Sequence, residues 1–247
     1  MRFPLIIGGA NGIGLGIATE LAQREEVQKV YIVDKAEVAE ENHHPKFETF
    51  QFDLTSEDYS FFDRFQDIDA LMITAGFGRL QLFGDTDERM IGDSFAVNTI
   101  PAMRLIHRFY DKLASPTEDF LCGVMVSIAG FMSSPFFSIY AATKAALKIF
   151  IESVNVELIK GGCRNRILNV SPGSMKGTSF NNAKTDLTVV APLAREIIEH
   201  LEQKDDLFIP QYDEIFKNVL QRYHDDFRAE GLHSYEYKVS SGRVEKS

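Results

Sequence analysis

Six short runs along this chain are rich in Val, Ile, Leu and Phe and show no steady alternation with polar residues: "FPLIIGG", "KVYIVDK", "KFETFQFDL", "DALMITAG", "LCGVMVSIAG" and "NRILNVSPG". Strands buried on both faces of a parallel sheet read this way. Helical patterns lie between them, over 12–24, over 88–113, and in the stretch that begins "SIYAATKAALKIF". Parallel neighbours joined through helices need right-handed crossovers, which wind helices onto both faces of the sheet. The expectation is a single doubly wound α/β domain, with "LFIPQY" as a seventh strand. The 247 residues, 45% of them hydrophobic, suffice for one such core.

Composition excludes several classes. No run of eighteen uncharged apolar residues is present, so no membrane span is expected. The apolar start is too short for a signal sequence and runs directly into a glycine-rich turn. A net charge of −10 with no basic stripe argues against a nucleic-acid partner. Cys122 and Cys163 sit in or beside apolar runs and make no metal pattern. They read as buried free thiols of a cytoplasmic protein. His43 and His44 lie in a polar loop without further ligands at metal spacing, so no metal is expected.

The segment "IIGGANGIGLG" ends the first strand and opens the first helix. Gly8, Gly12 and Gly14 allow a tight turn, close approach of backbone N–H groups to a pyrophosphate, and tight helix–strand packing. The helix N-terminus then faces the anion. The second strand ends in Asp34, whose carboxylate can accept hydrogen bonds from ribose hydroxyls and repels a 2′-phosphate. That favours NAD; the adjacent Lys35 leaves NADP open.

Tyr140 and Lys144 are four positions apart on a largely apolar helix, about 6 Å from each other. A nearby ammonium favours the phenolate and lowers a tyrosine pKa from about 10, tuning it for proton transfer. The plainer reading is a core tyrosine beside a snorkelling lysine. Tyr31 and Lys35 share the spacing, but four residues of strand span roughly 13 Å, too far for a close pair.

Further residues give these motifs a family. Ser127 lies thirteen positions before Tyr140, in "VMVSIAG"; Asn98 lies in "SFAVNTI"; "FDLT", "ITAG" and "NVSPGSMKGT" follow in order. Together they resemble the short-chain dehydrogenase/reductase family over residues 5 to about 180. The resemblance implies a Rossmann-type fold, a nicotinamide cofactor and a small carbonyl or alcohol substrate. It implies Tyr140 as general acid or base and Lys144 as the group that lowers its pKa and holds the nicotinamide ribose. Ser127 would orient the substrate oxygen, and Asn98 would support a water linking Lys144 to solvent. Cofactor contacts would come from Gly8, Asn11, Gly12, Ile13 and Gly14, from Asp34, and from Asp53 and Leu54 at adenine. Ala75, Gly76, Pro172, Gly173, Met175 and Thr178 would complete them.

The chain departs from the family pattern in places. Ile7 and Thr74 stand where threonine and asparagine are usual, and both positions brace the turn rather than react. Thr178 comes one position late, which puts its cofactor contact in doubt. Residues 1–212 read as the catalytic unit. Residues 213–247 read as an extension of the same domain, with one amphipathic helix carrying Ile215, Phe216, Val219, Leu220, Tyr223 and Phe227, and a loose last eight residues.

Between Ser127 and Tyr140, the residues Phe131, Met132, Phe136 and Phe137 either wall an apolar substrate pocket or pack into the core or a subunit contact. Phe180 is a candidate to close over a substrate, and Arg79 either anchors an acidic group or stands in solvent. The helices around Asn98 and Tyr140 are apolar on more than one face, which predicts a homodimer or homotetramer. A rival to the oxidoreductase is a non-catalytic dinucleotide sensor on the same fold. An epimerase or dehydratase usually goes with a longer chain.

Overall fold

The structure, a computed structural model, describes residues 1–175, 177–178 and 184–244. In chain order the elements are β1 (Pro4–Ile7), α1 (Gly12–Ala22), β2 (Val30–Asp34), β3 (Phe47–Gln51) and β4 (Ala70–Ile73). Then follow α2 (Arg89–Asn98), α3 (Ile100–Arg108), α4 (Tyr110–Leu113), β5 (Leu121–Met125), α5 (Ser138–Lys160) and β6 (Ile167–Val170). The chain continues through α6 (Leu187–Gln203), β7 (Leu207–Phe208), a π-helical turn (Tyr212–Phe216), α7 (Lys217–Asp225) and α8 (Phe227–Ser240).

The seven strands form one sheet in the order β3-β2-β1-β4-β5-β6-β7, all pairs parallel. The order reverses between β1 and β4. In open α/β sheets ligands bind at the carboxyl ends of the strands beside such a reversal. The missing polar alternation has a direct cause. Leu5 and Ile7 enter one core layer, which includes Leu105, Leu147 and Ile151 of α3 and α5. Ile6 enters the other, with Leu15 and Ile17 of α1 and Ile197 of α6. Each strand must therefore be apolar on both faces.

Two expected helices differ from what is observed. The pattern over 88–113 is three helices. Thr99 departs from helical geometry (φ −123°, ψ −59°), and Pro101 lies in the first turn of α3, where its missing N–H costs nothing. The C-terminal pattern is not one helix but the π turn, α7 and α8. Asp226 is extended, and its carboxylate accepts the N–H groups of Arg228 and Ala229, so it ends α7 and caps α8. Phe227 thus belongs to α8 and is half exposed.

The turn after β1 is the tightest point of the sheet. A Cβ on Gly14 would run into Gly8 O and Thr74 Oγ1. Gly14→Ala is expected to destabilise the fold by roughly 1–3 kcal/mol through this overpacking. Urea unfolding measures it, and an unchanged midpoint would sink the argument.

Candidate active site

Gly8 carries the chain out of β1 at φ +84°, and a Cβ there would stand 2.5 Å from Ala75 N. The Thr74 hydroxyl lies 3.0 Å from Ile7 O and 2.9 Å from Gly8 O, so it braces the turn although asparagine is usual at its position. Helix α1 begins at Gly12 with no acidic residue in its first turn, and Asn11 sits extended at its N-cap with no side-chain cap bond. The cradle therefore presents N–H groups and the positive end of a helix. Gly12 N–H donates to Thr185 Oγ1 at 2.7 Å. Thr178, displaced by one position, is buried beside Gly12, where a Cβ would lie 3.7 Å from its own Cβ. Ile13 and Met175 pack against the adjoining core. Thr185 carries no sequence signal: it is 173 positions from its partner in the chain.

Asp34 closes the other rim. Its Oδ2 accepts Ala10 N–H and its Oδ1 accepts Ala36 N–H, each at 3.0 Å. Each carboxylate oxygen keeps room for a further donor. The Lys35 ammonium pairs with Asp53 at 3.2 Å. Asp53 in turn accepts the Thr55 N–H and hydroxyl, while Leu54 packs on the core beneath. Tyr31, the other half of the second Tyr–Lys match, donates to Asp67 instead, which confirms that match as accidental.

Beyond the cradle, four side chains from three segments converge. Lys144 is buried, and its Nζ donates to Met125 O at 2.8 Å. The Tyr140 ring centroid lies 5.7 Å from that nitrogen. A Cβ on Gly76 would stand 3.3 Å from Lys144 Nζ and 3.2 Å from Asn98 Oδ1, so only glycine leaves this space open. Asn98 is buried; its Oδ1 accepts Phe77 N–H at 2.8 Å and its Nδ2 donates to Phe77 O at 2.9 Å. Ser127, at the end of β5, accepts Ala129 N–H, lies 3.5 Å from Pro172 O, and hydrogen-bonds Tyr140. Gly130 lets the turn after Ser127 press on α5, since a Cβ there would be 2.8 Å from the Lys144 carbonyl carbon.

The electrostatics differ from the sequence expectation. Burial pushes the Tyr140 phenol up to about 12, offset in part by its bond to Ser127, instead of the lysine pulling it down. Burial likewise pushes Lys144 down to about 7. Desolvation disfavours each charged form. Among the described residues Met125 O is the one hydrogen-bond acceptor of the Lys144 ammonium, which leaves two of its three donors for a ligand. Open glycine space and unused buried donors fit a dinucleotide cofactor.

A narrow cleft beside Tyr140 is lined by Gly78, Arg79, Met90, Phe136 and Phe137. The Phe137 ring lies 5.3 Å from the Tyr140 ring. Phe136 also meets Tyr235 of α8, ring centroids 4.5 Å apart, so it joins the wall of the cleft to α8. Phe131 sits under Lys148. Phe180 lies outside the described residues. A larger cavity of about 350 Å³ is bounded by Asp119, Asn165 and Lys204, just before β5, β6 and β7, and so lies at the opposite edge of the sheet.

The lysine makes a signed prediction. Between about pH 7 and 10.5 the unfolded chain holds a proton at Lys144 that the folded chain has released. Stability of the dinucleotide-free protein should therefore rise with pH across that window, and Lys144→Met should remove the rise. Urea unfolding at about pH 7 and about pH 9.5 checks this; parallel changes in both proteins would refute it.

The family profile described as short chain dehydrogenase matches residues 3–187. Short-chain dehydrogenase RED1 of Pyricularia oryzae is 28% identical over 230 residues, covering 85% of this chain and 77% of that protein. A short chain dehydrogenase/reductase from Burkholderia phymatum, solved in complex with NAD, matches with TM-score 0.78 at 15% identity, covering 93% of this chain and 95% of its own. A short chain dehydrogenase from Burkholderia cenocepacia, solved in complex with NADP, matches with TM-score 0.77 at 20% identity, covering 95% and 99%. These two likenesses concern the fold, whereas the profile match spans most of the chain, including the glycine cradle, Ser127, Tyr140 and Lys144. The chain belongs to the short-chain dehydrogenase/reductase family of oxidoreductases.

Proposed function

We propose that this oxidoreductase interconverts an apolar ketone or aldehyde and the corresponding alcohol, with Tyr140 exchanging the proton at the substrate oxygen. The observation that carries the reading is the convergence of Ser127, Tyr140 and Lys144 beside a narrow cleft, walled in part by Met90, Phe136 and Phe137, at the carboxyl end of β5. A nicotinamide dinucleotide, when bound, supplies or receives the hydride. Gly8, Asn11, Gly12, Ile13 and Gly14 hold its phosphates, joined by Thr178 and Thr185. Asp34 takes the adenosine ribose, and Asp53 and Leu54 flank the adenine. Ala75, Gly76, Pro172, Gly173 and Met175 line the remaining path, and Lys144 binds the second ribose.

Ser127 holds the substrate oxygen against the Tyr140 hydroxyl. A phenol held at about 12 stays protonated across neutral pH. It is therefore ready to donate as a carbonyl becomes an alkoxide, which suits reduction. Asn98 keeps the Gly76–Phe77 backbone against Lys144 and so keeps that pocket open. NAD is preferred over NADP because Asp34 is fixed at the rim by two backbone N–H groups, and Lys35, the nearby cation, is engaged by Asp53. The two buried free cysteines fit a cytoplasmic setting; among the described residues no helix is long and apolar enough to cross a membrane. Residues 213–247 belong to the same domain as 1–212.

The test is NADH and NADPH oxidation over a panel of apolar ketones and aldehydes. Tyr140→Phe should still bind NADH but lose at least about 100-fold in kcat. Equal turnover by the variant would overturn the role of Tyr140, and a clear preference for NADPH would overturn that of Asp34. NADH binding with no turnover of any carbonyl would favour a dinucleotide sensor.

The subunit reading rests on α5. Ile149, Val156 and Ile159 form a stripe that is more than half exposed, and Ile100 of α3 is nearly so. Exposed aliphatics at this density mark an interface. A homodimer or homotetramer is expected in sedimentation at micromolar concentration, reduced to monomer by Val156→Asp. A monomeric wild type would sink the reading.

A further inference from the structure

The loop 131–137 carries Phe137 to the Tyr140 ring, yet its backbone is under strain. Phe136 has φ +67°, a left-handed conformation that a bulky residue avoids. Something must hold it. Gln81 N–H donates to Phe136 O at 2.9 Å from one side. From the other side comes α8. Gly231, Ser234, Tyr235 and Lys238 fall at i, i+3, i+4 and i+7 of that helix, which places them on one face. All four engage the loop or each other. Gly231 is small enough to let Ser133 Oγ approach to 3.2 Å of its missing Cβ. Tyr235 stacks on Phe136.

Lys238 is the centre of this contact. It is 7% exposed and makes no ion pair with a carboxylate among the described residues. Its ammonium donates to Pro135 O at 2.8 Å, Ser134 Oγ at 3.1 Å and Ser234 Oγ at 3.3 Å. Three donors thus meet three neutral acceptors, two of them on the loop. The same nitrogen lies 5.7 Å from the Phe137 ring. Burial, with Arg243 adding to it, pushes Lys238 down to about 8. A solvated lysine would avoid that penalty, so this side chain is placed against its own preference.

The extension is tied to the opposite rim as well. Glu230 of α8 is buried and takes both Arg222 Nε and Nη2 from α7. Before α7, the Phe216 ring lies on Gly173, where a Cβ would stand 2.6 Å from it. Residues 212–240 therefore reach both the 131–137 loop and the Pro172–Gly173 turn.

We infer that α8, with Lys238 as its positioning residue, clamps the 131–137 loop and thereby sets how large a carbonyl substrate fits in the cleft that Phe137 and Tyr140 line. The inference rests on the proposed carbonyl chemistry for its substrate, but the clamp itself does not.

The test uses the full chain with Lys238→Met, which keeps length and removes the three bonds, and Ser134→Ala, which removes one. Amide hydrogen exchange at Gln81 and Phe137 should quicken at least about tenfold in Lys238→Met and less in Ser134→Ala. NADH binding, read by its fluorescence, should change less than about twofold. With acetophenone and 2-butanone as probe ketones, the ratio of their kcat/KM values should shift at least about fivefold, mainly through KM. Unchanged exchange would overturn the clamp. Faster exchange with an unchanged ketone ratio would overturn the selectivity role. If Lys238→Met does not fold, Ser134→Ala decides by the same readouts. If the wild type turns over neither ketone while NADH binds, the carbonyl reading fails and the selectivity claim with it. The exchange rates then still decide the clamp.

Discussion

The site depends first on how closely two backbone turns approach where the strand order reverses. Gly8 lies against Ala75, Gly14 lies against Gly8, and the Thr74 hydroxyl sits between them. No side chain fits in that space. The close approach puts the N-terminus of α1 beside the end of β4, and Gly76 then stands open next to Lys144 and Asn98. Remove the approach and the cradle, the open space and the lysine no longer face one ligand.

Two buried ammonium groups define the site from inside and outside. Among the described residues Lys144 has one acceptor, and Lys238 has three. Neither is paired with a carboxylate among the described residues, and burial lowers the proton affinity of both. The difference in acceptors separates their uses. A lysine with unused donors is arranged for a ligand, whereas a lysine with all donors engaged holds the structure around it. Burial of Tyr140 completes the contrast: without a ligand the phenol is kept neutral, and Ser127 rather than Lys144 is the group that moderates it.

Much of the fold could be read from the chain because local rules decided it. Strands apolar on both faces required a covered parallel sheet, and the glycines of 8–14 required a turn no other residue can make. Where one helix was read, three or two were found, since periodicity survives a break. Thr99, Pro101 and Asp226 interrupt the backbone without disturbing the apolar pattern around them. Thr185 and Lys238 were invisible for a different reason. Each acts on a partner far away in the chain, and an isolated threonine or lysine has no spacing to betray it.

By itself, then, the sequence determined the α/β architecture, the family, and the identity of the residues gathered at the end of β5. These follow from local geometry: helix spacing pairs Tyr140 with Lys144, and strand ends present Asp34 and Ser127. Tertiary structure alone decided the charge states those residues prefer and what surrounds them. Desolvation depends on every group packed around a side chain, so the closeness of Lys144 to Tyr140 could be read from spacing but not the burial that raises the phenol. The packing of α8 on the 131–137 loop was settled in the same way, by contacts between segments about a hundred residues apart.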